Sequence, residues 1–181
     1  IGSTMKPGVA LAALTEGVIT PDSRPVSCTP ALGRRTGTYT YYADSGYAPT
    51  CLGIHGRSNV AYALQESCNV FFYDVGRMLG IEKMNEYSTL YGLGQKTGIE
   101  VGESEGILAG PAYRKTLGLA WNPGDTCSAA IGQSDNSFTP IQLAAYAMTI
   151  ANNGVRYKTH LVQSVISYDG VETPVEPEVA A

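Results

Sequence analysis

Ser3-Thr4-Met5-Lys6 places a hydroxyl and an amine three positions apart near the start of the chain. On a helix, positions i and i+3 share a face, with Cβ atoms about 5–6 Å apart. A serine there is a workable nucleophile and a lysine one turn on a workable base, provided the amine is desolvated enough to be neutral and take a proton. A helix N-terminus also leaves backbone N–H groups free, and one can serve an oxyanion. The pattern has two fixed letters and, taken alone, is more often without catalytic meaning. A second pattern, Ser67-Cys68-Asn69, sets two polar side chains two apart, so both can point the same way from an extended turn. Alone, it reads as an ordinary cap for the helix that follows. A third, Lys96-Thr97-Gly98, has the letters of a strand that some acyl-transfer enzymes use to hold a substrate carboxylate beside a nucleophilic serine.

The elements that must position these residues can be read from caps and spacing. Ser3 as N-cap, an apolar face of Val9, Leu11, Ala12, Ala13 and Leu14, and Gly17 at the stop predict a helix over 3–16. Residues 18–57 are rich in Pro, Gly, Thr and Tyr and read as loops with short hairpins, 38–42 being the best strand candidate. Ser58 caps a short helix to about Glu66, Asn69 or a neighbour restarts one through Leu79, and 81–91 continues with helical spacing. Six glycines in 92–112 predict loop. Residues 113–120 could form a short helix, and Thr139-Pro140 is a strong start signal for one through Ile150. Residues 161–168 alternate as a strand with Asp169-Gly170 as its turn, and the tail to 181 reads as extended or mobile.

Taken together, Ser3–Lys6 and Ser67–Asn69, in that order and 64 residues apart, are specific. The sequence resembles the transpeptidase domain of class B penicillin-binding proteins, bacterial cell-wall cross-linking enzymes. The resemblance rests on GSTMKPGVALAALTEG (2–17), HGRSNVAYALQESCNVFFYDVGRMLG (55–80), YGLGQKTGIEVGESEG (91–106) and WNPGDTCSAAIGQSDNSFTPIQLAAYAMTIANNG (121–154). It implies that Ser3 is the acylated serine, Lys6 its general base, Ser67 a proton relay to the leaving group, and Asn69 a hydrogen-bond partner of the substrate amide. The implied reaction is attack on a D-Ala-D-Ala bond, an acyl-enzyme, and transfer to an amine of a neighbouring stem peptide; β-lactams would leave Ser3 acylated. The implied setting is the extracytoplasmic face of the bacterial membrane, in a membrane-anchored parent that joins a cell-wall synthesis complex. A carboxypeptidase or β-lactamase shares this chemistry, and a non-catalytic binding or scaffolding module is the alternative of a different class.

In the family, the Lys-Thr-Gly strand follows the Thr-Pro-x-Gln-Leu-Ala helix. Lys96 precedes that helix, only 29 residues after Ser67, in a run broken by Gly92, Gly94, Gly98 and Gly102. Lys96-Thr97-Gly98 is therefore expected to be structural, and no other such motif follows Thr139. The resemblance thus implies a mainly α fold with short β-hairpins: the helical lobe (58–154) and nucleophile helix (3–17) of the α/β transpeptidase fold, with the central sheet largely missing. On this reading the chain is a fragment whose last part, 155–181, is a strand and mobile tail, and which alone is a poor enzyme.

Net charge is −4 with Lys and Arg scattered, so nothing recommends nucleic acid as a partner. No apolar run approaches the roughly 18 residues of a membrane span, and no signal peptide is visible. Four cysteines form no CxxC pair. Cys68 and Cys127 read as buried structural thiols. Cys28 and Cys51 read as a disulfide or packed thiols, with no cofactor expected; the sharper alternative is a zinc site of Cys28, Cys51 and His55 with a fourth ligand such as Asp44. His160 reads as having no special role.

Overall fold

Residues 1–181 are described by a computed structural model with seven α-helices and two two-stranded sheets, the mainly α architecture with short hairpins that the sequence implies. The chain forms two compact units, residues 1–87 with 108–136, and residues 88–107 with 137–181. No helix is long and apolar enough to cross a membrane.

In the first unit the chain opens with a 3-10 turn, Gly2–Met5, and continues as α1, Lys6–Thr15. Ser3 therefore sits within the turn and makes no cap; the cap position is Ile1, without a side-chain bond. Pro7 occupies the first turn of α1, where its missing N–H costs nothing. Ala12 and Ala13 are wholly buried and let α1 lie close on α3, Asn69–Leu79. That helix starts where the sequence predicts, and its residues Val70, Phe71, Phe72 and Val75 form the centre of the core. Between them, α2 (Val60–Gln65) is capped by Asn59, whose side chain accepts from Tyr62 N–H, and not by Ser58. After α3 come α4 (Ile81–Leu90), whose last three residues are counted with the second unit, and α5 (Pro111–Thr116). The helix expected over 113–120 thus starts earlier, at a proline, and ends at Thr116, ahead of the left-handed Gly118.

A further helix, α6 (Pro123–Ala130), falls where none was expected. Its start is legible in retrospect: Asn122 and Asp125 form a reciprocal capping box around Pro123. The expected strand at 38–42 does not form. Thr38↔Thr50 and Tyr42↔Tyr47 are isolated bridges, and the paired strands are β1 (Ser27–Cys28) and β2 (Gly56–Arg57). The tyrosines that suggested a strand pack on one another instead: Tyr39 is buried, with ring centroids of Tyr41, Tyr42 and Tyr73 within 5.8–6.5 Å. Tyr39 OH donates to Asp74 Oδ1 (2.8 Å), and Arg77 Nε donates to the same oxygen (3.0 Å) and to Tyr39 OH (3.1 Å). Asp74→Ala removes the carboxylate that accepts from both the buried Tyr39 hydroxyl and Arg77, leaving the hydroxyl without its acceptor, so it is expected to cost about 3 kcal/mol, read as a drop in urea midpoint at unchanged slope.

In the second unit α7 spans Pro140–Ala151 behind a Thr139–Gln142 capping box. Gln142 is fully buried. Its Nε2 donates to Gln95 O (2.6 Å) and Glu105 O (2.9 Å) and its Oε1 accepts from Thr139 N–H, so one side chain ties the glycine-rich loop to the helix start. The expected strand shortens to β3 (Ser164–Ile166), which pairs antiparallel with β4 (Glu172–Pro174) across the Asp169-Gly170 turn. The tail is thus paired over part of its length, with a further bridge Tyr157↔Val179.

Lys96-Thr97-Gly98 belongs to this unit and forms no strand. Gly98 has φ +87, and the backbone N–H groups of Thr97 and Gly98 both donate to Glu103, which also accepts from Thr97 Oγ1 at 2.6 Å. Lys96 is exposed. The Thr97 hydroxyl that a substrate carboxylate would need is taken by the chain's own glutamate, in keeping with a structural role.

Candidate active site

The four residues singled out in the sequence meet in the first unit. Lys6 begins α1 and is 1% exposed. Its Nζ donates to Ser67 O (2.6 Å), Ser67 Oγ (2.9 Å) and Asn69 Oδ1 (2.6 Å). Ser67 Oγ in turn donates to Ser3 Oγ at 2.8 Å. Ser67 is one of three non-glycine residues with positive φ, at +50°, in the turn between α2 and α3. That left-handed conformation aims its carbonyl and hydroxyl at the same amine; strain of this kind is held only where the surroundings over-determine it. Ser3 is exposed, while Ser67 and Asn69 are half-buried, so the polar chain runs from a buried amine to a hydroxyl in solvent.

Burial holds the Lys6 amine below the usual lysine range; the neighbouring Cys51 and Cys68 thiols act weakly the other way. The three partners suit a neutral amine as well as a charged one. Two are carbonyl-type oxygens that can accept its two remaining protons. The third, Ser67 Oγ, is a hydroxyl that can turn and donate to the freed lone pair. The i, i+3 spacing that drew attention to Ser3 and Lys6 therefore does not exhaust their link: Ser67 stands between them.

Behind this site lies a cluster of sulfur and nitrogen. The ligand atoms of Cys28, Cys51, His55 and Cys68 all lie within 4.8 Å of one another, and His55 Nδ1 is 3.5 Å from both Cys28 Sγ and Cys51 Sγ. All four cysteines are free thiols. A tetrahedral zinc with Zn–S about 2.3 Å and Zn–N about 2.0–2.1 Å spaces its S and N ligands by about 3.6 Å, so these separations fit. Asp44, considered from sequence as a fourth ligand, lies in the exposed 3-10 turn Ala43–Ser45 and is not in the cluster, whose fourth member is Cys68. Cys68 is the middle residue of Ser67-Cys68-Asn69, and Asn69 N–H donates to Cys51 Sγ at 3.3 Å. The cluster thus braces the turn that presents Ser67 and Asn69. Nothing in the linear spacing ties Cys68 to Cys28 and Cys51; only the fold brings them together.

The model of the penicillin binding protein transpeptidase domain matches residues 1–181. The chain belongs to that family. Among its relatives is the peptidoglycan D,D-transpeptidase MrdA of Salmonella typhimurium, 34% identical over 186 residues, which cover 96% of this chain and 28% of the relative. Pseudomonas aeruginosa PBP2, solved in complex with WCK 5153, superimposes with a TM-score of 0.76 at 29% identity, over 99% of this chain and 39% of that one. Helicobacter pylori PBP2, solved in a complex with MreC, gives 0.72 at 29%, over 96% of this chain and 31% of that one. This penicillin-binding protein segment thus spans a little over a quarter of the length of the MrdA relative, and the class B assignment made from the four motifs holds.

Proposed function

We propose that this chain carries the nucleophile of a peptidoglycan D,D-transpeptidase, with Ser3 as the acylated residue. The observation that carries the reading is the unbroken path Ser3 Oγ–Ser67 Oγ–Lys6 Nζ, with steps of 2.8 and 2.9 Å. Neutral Lys6 draws the Ser67 proton as Ser67 takes that of Ser3. Ser3 Oγ attacks the carbonyl carbon of the D-Ala-D-Ala bond, and an Oγ–C bond forms. The C–N bond then breaks, and the proton passes from Lys6 through Ser67 Oγ to the departing D-alanine amine. An amine of a second stem peptide repeats the sequence in reverse and frees Ser3. Asn69, oriented by Lys6 through its Oδ1, is left with its amide N–H groups for the substrate backbone. A β-lactam follows the first half and stays attached.

The test is peptide mapping after exposure of the purified protein to a fluorescent penicillin. The label is expected on the peptide containing Ser3; a label elsewhere, or none, contradicts the reading. The sequence holds no Lys-Thr-Gly after α7. Residues 1–181 alone are therefore read as slow in peptide turnover, since the strand that would hold the substrate carboxylate is not among them. The reading extends to the parent's setting, namely action outside the cytoplasmic membrane within a cell-wall synthesis complex, a reading supported by the complex that H. pylori PBP2 forms with MreC.

Cys28, Cys51, Cys68 and His55 are read as holding one zinc ion, which would fix the turn before α3 and take no part in bond making. Protein purified without a histidine tag is expected to carry one zinc per chain and to melt at lower temperature after chelation. Absence of zinc together with a Cys28–Cys51 disulfide by mass spectrometry contradicts this.

A further inference from the structure

The turn that carries Ser3 is gripped from outside its own helix. Gly2 N–H donates to Gly132 O at 3.1 Å. Gly132 follows the end of α6, is buried, and has φ +71. A Cβ at this position would lie 2.3 Å from Gly2 O and 2.9 Å from Gly2 N. Both are backbone atoms and cannot swing aside, so any side chain here displaces the turn itself. Two residues earlier, Ala130 meets α3: a Cβ at Gly76 would lie 2.3 Å from Ala130 Cβ. The helix that carries Asn69, and follows directly on Ser67, is thus in contact with the same short segment, 130–132, that touches the turn of Ser3.

We propose that Gly132 is a positioning residue, whose missing side chain and carbonyl set Ser3 Oγ at hydrogen-bond distance from Ser67 Oγ. The proposal rests on the reading of Ser3 as the nucleophile. Two close approaches, made by one segment only three residues long, register the nucleophile turn against the helix bearing the rest of the site. A shift of about 1 Å in such a register can cost on the order of 100-fold in rate.

The experiment compares Gly132→Ala with Gly118→Ala in β-lactam acylation. Gly118 has φ +68 but nothing within 4 Å of its would-be Cβ, so it carries the backbone strain without the close approach. Gly132→Ala is expected to lower the acylation rate constant at saturating β-lactam on the order of 100-fold, with the half-saturating concentration little changed. Gly118→Ala is expected to stay within about twofold of wild type. The Gly2 amide, followed by hydrogen exchange, is expected to be protected in wild type and exposed in Gly132→Ala. Wild-type acylation by Gly132→Ala, or an equal loss in Gly118→Ala, overturns the proposal. If Gly132→Ala does not fold, wild type decides, because a Gly2 amide exchanging like an open chain overturns it and a protected one upholds it. If wild type takes no β-lactam on Ser3, the functional reading fails separately, and the Gly2 amide alone decides the positioning claim.

Discussion

Exchange of Lys6 for methionine is expected to slow acylation of Ser3 by a factor on the order of 100–10,000, the range for loss of a positioned general base. Methionine keeps the length and apolar stem of lysine but can neither accept the proton nor donate to Ser67 O and Asn69 Oδ1. The wild-type rate is expected to rise with pH through the lowered Lys6 value and then level off, since only the neutral amine is a base. Lys6→Met should lose that limb of the profile. The stability effect has a definite sign. The folded-state value lies below 10.5, so between the two the unfolded chain binds more protons and stability rises with pH. Below the lowered value the full cost of burying the charge is present. Stopped-flow acylation and urea midpoints across pH check both statements. A Lys6→Met protein with wild-type rate and profile would remove Lys6 from the mechanism.

Ser67→Ala is expected to have an effect of similar size, because it removes the hydroxyl that both Ser3 and Lys6 contact. The Ser67 carbonyl remains for Lys6, so the amine keeps two of its three partners. The informative result is the double variant. If proton transfer runs through Ser67, Lys6→Met with Ser67→Ala is expected to be about as slow as either single change, the signature of residues acting as one unit. Losses that multiply would show that Lys6 and Ser67 act on Ser3 by separate routes.

Much of this site was legible from sequence because its residues are local in pattern. Ser3 and Lys6 lie three apart, and Ser67 and Asn69 two apart. What the sequence could not show was the order of contact. Spacing pairs Ser3 with Lys6, yet the left-handed Ser67 sits between them, and a φ of +50° at a serine has no sequence signature. The same holds for Cys68, whose partners Cys28, in β1, and Cys51 lie 40 and 17 residues away and are brought in by β1–β2 pairing and by backbone bonds such as Cys51 N–H to Gly37 O and His55 N–H to Cys28 O. The strand expected at 38–42 failed for a physical reason: tyrosines satisfy β-propensity, but here burial of Tyr39 against α3 wins, while Tyr41 stays exposed. The missed α6 is the reverse case, a good capping box around Pro123 in a segment too short and polar to show helical periodicity. Lys96-Thr97-Gly98 was resolved from sequence by its place in the order of motifs, and Glu103 supplies the physical reason.

The central claim is that Ser3 is assembled as a nucleophile by Ser67 and Lys6. The most direct measurement is intact mass after incubation with a penicillin, wild type beside Ser3→Ala. A single adduct of the penicillin's mass is expected on wild type and none on Ser3→Ala. An equal adduct on both would contradict it, placing the acylated group elsewhere in the chain.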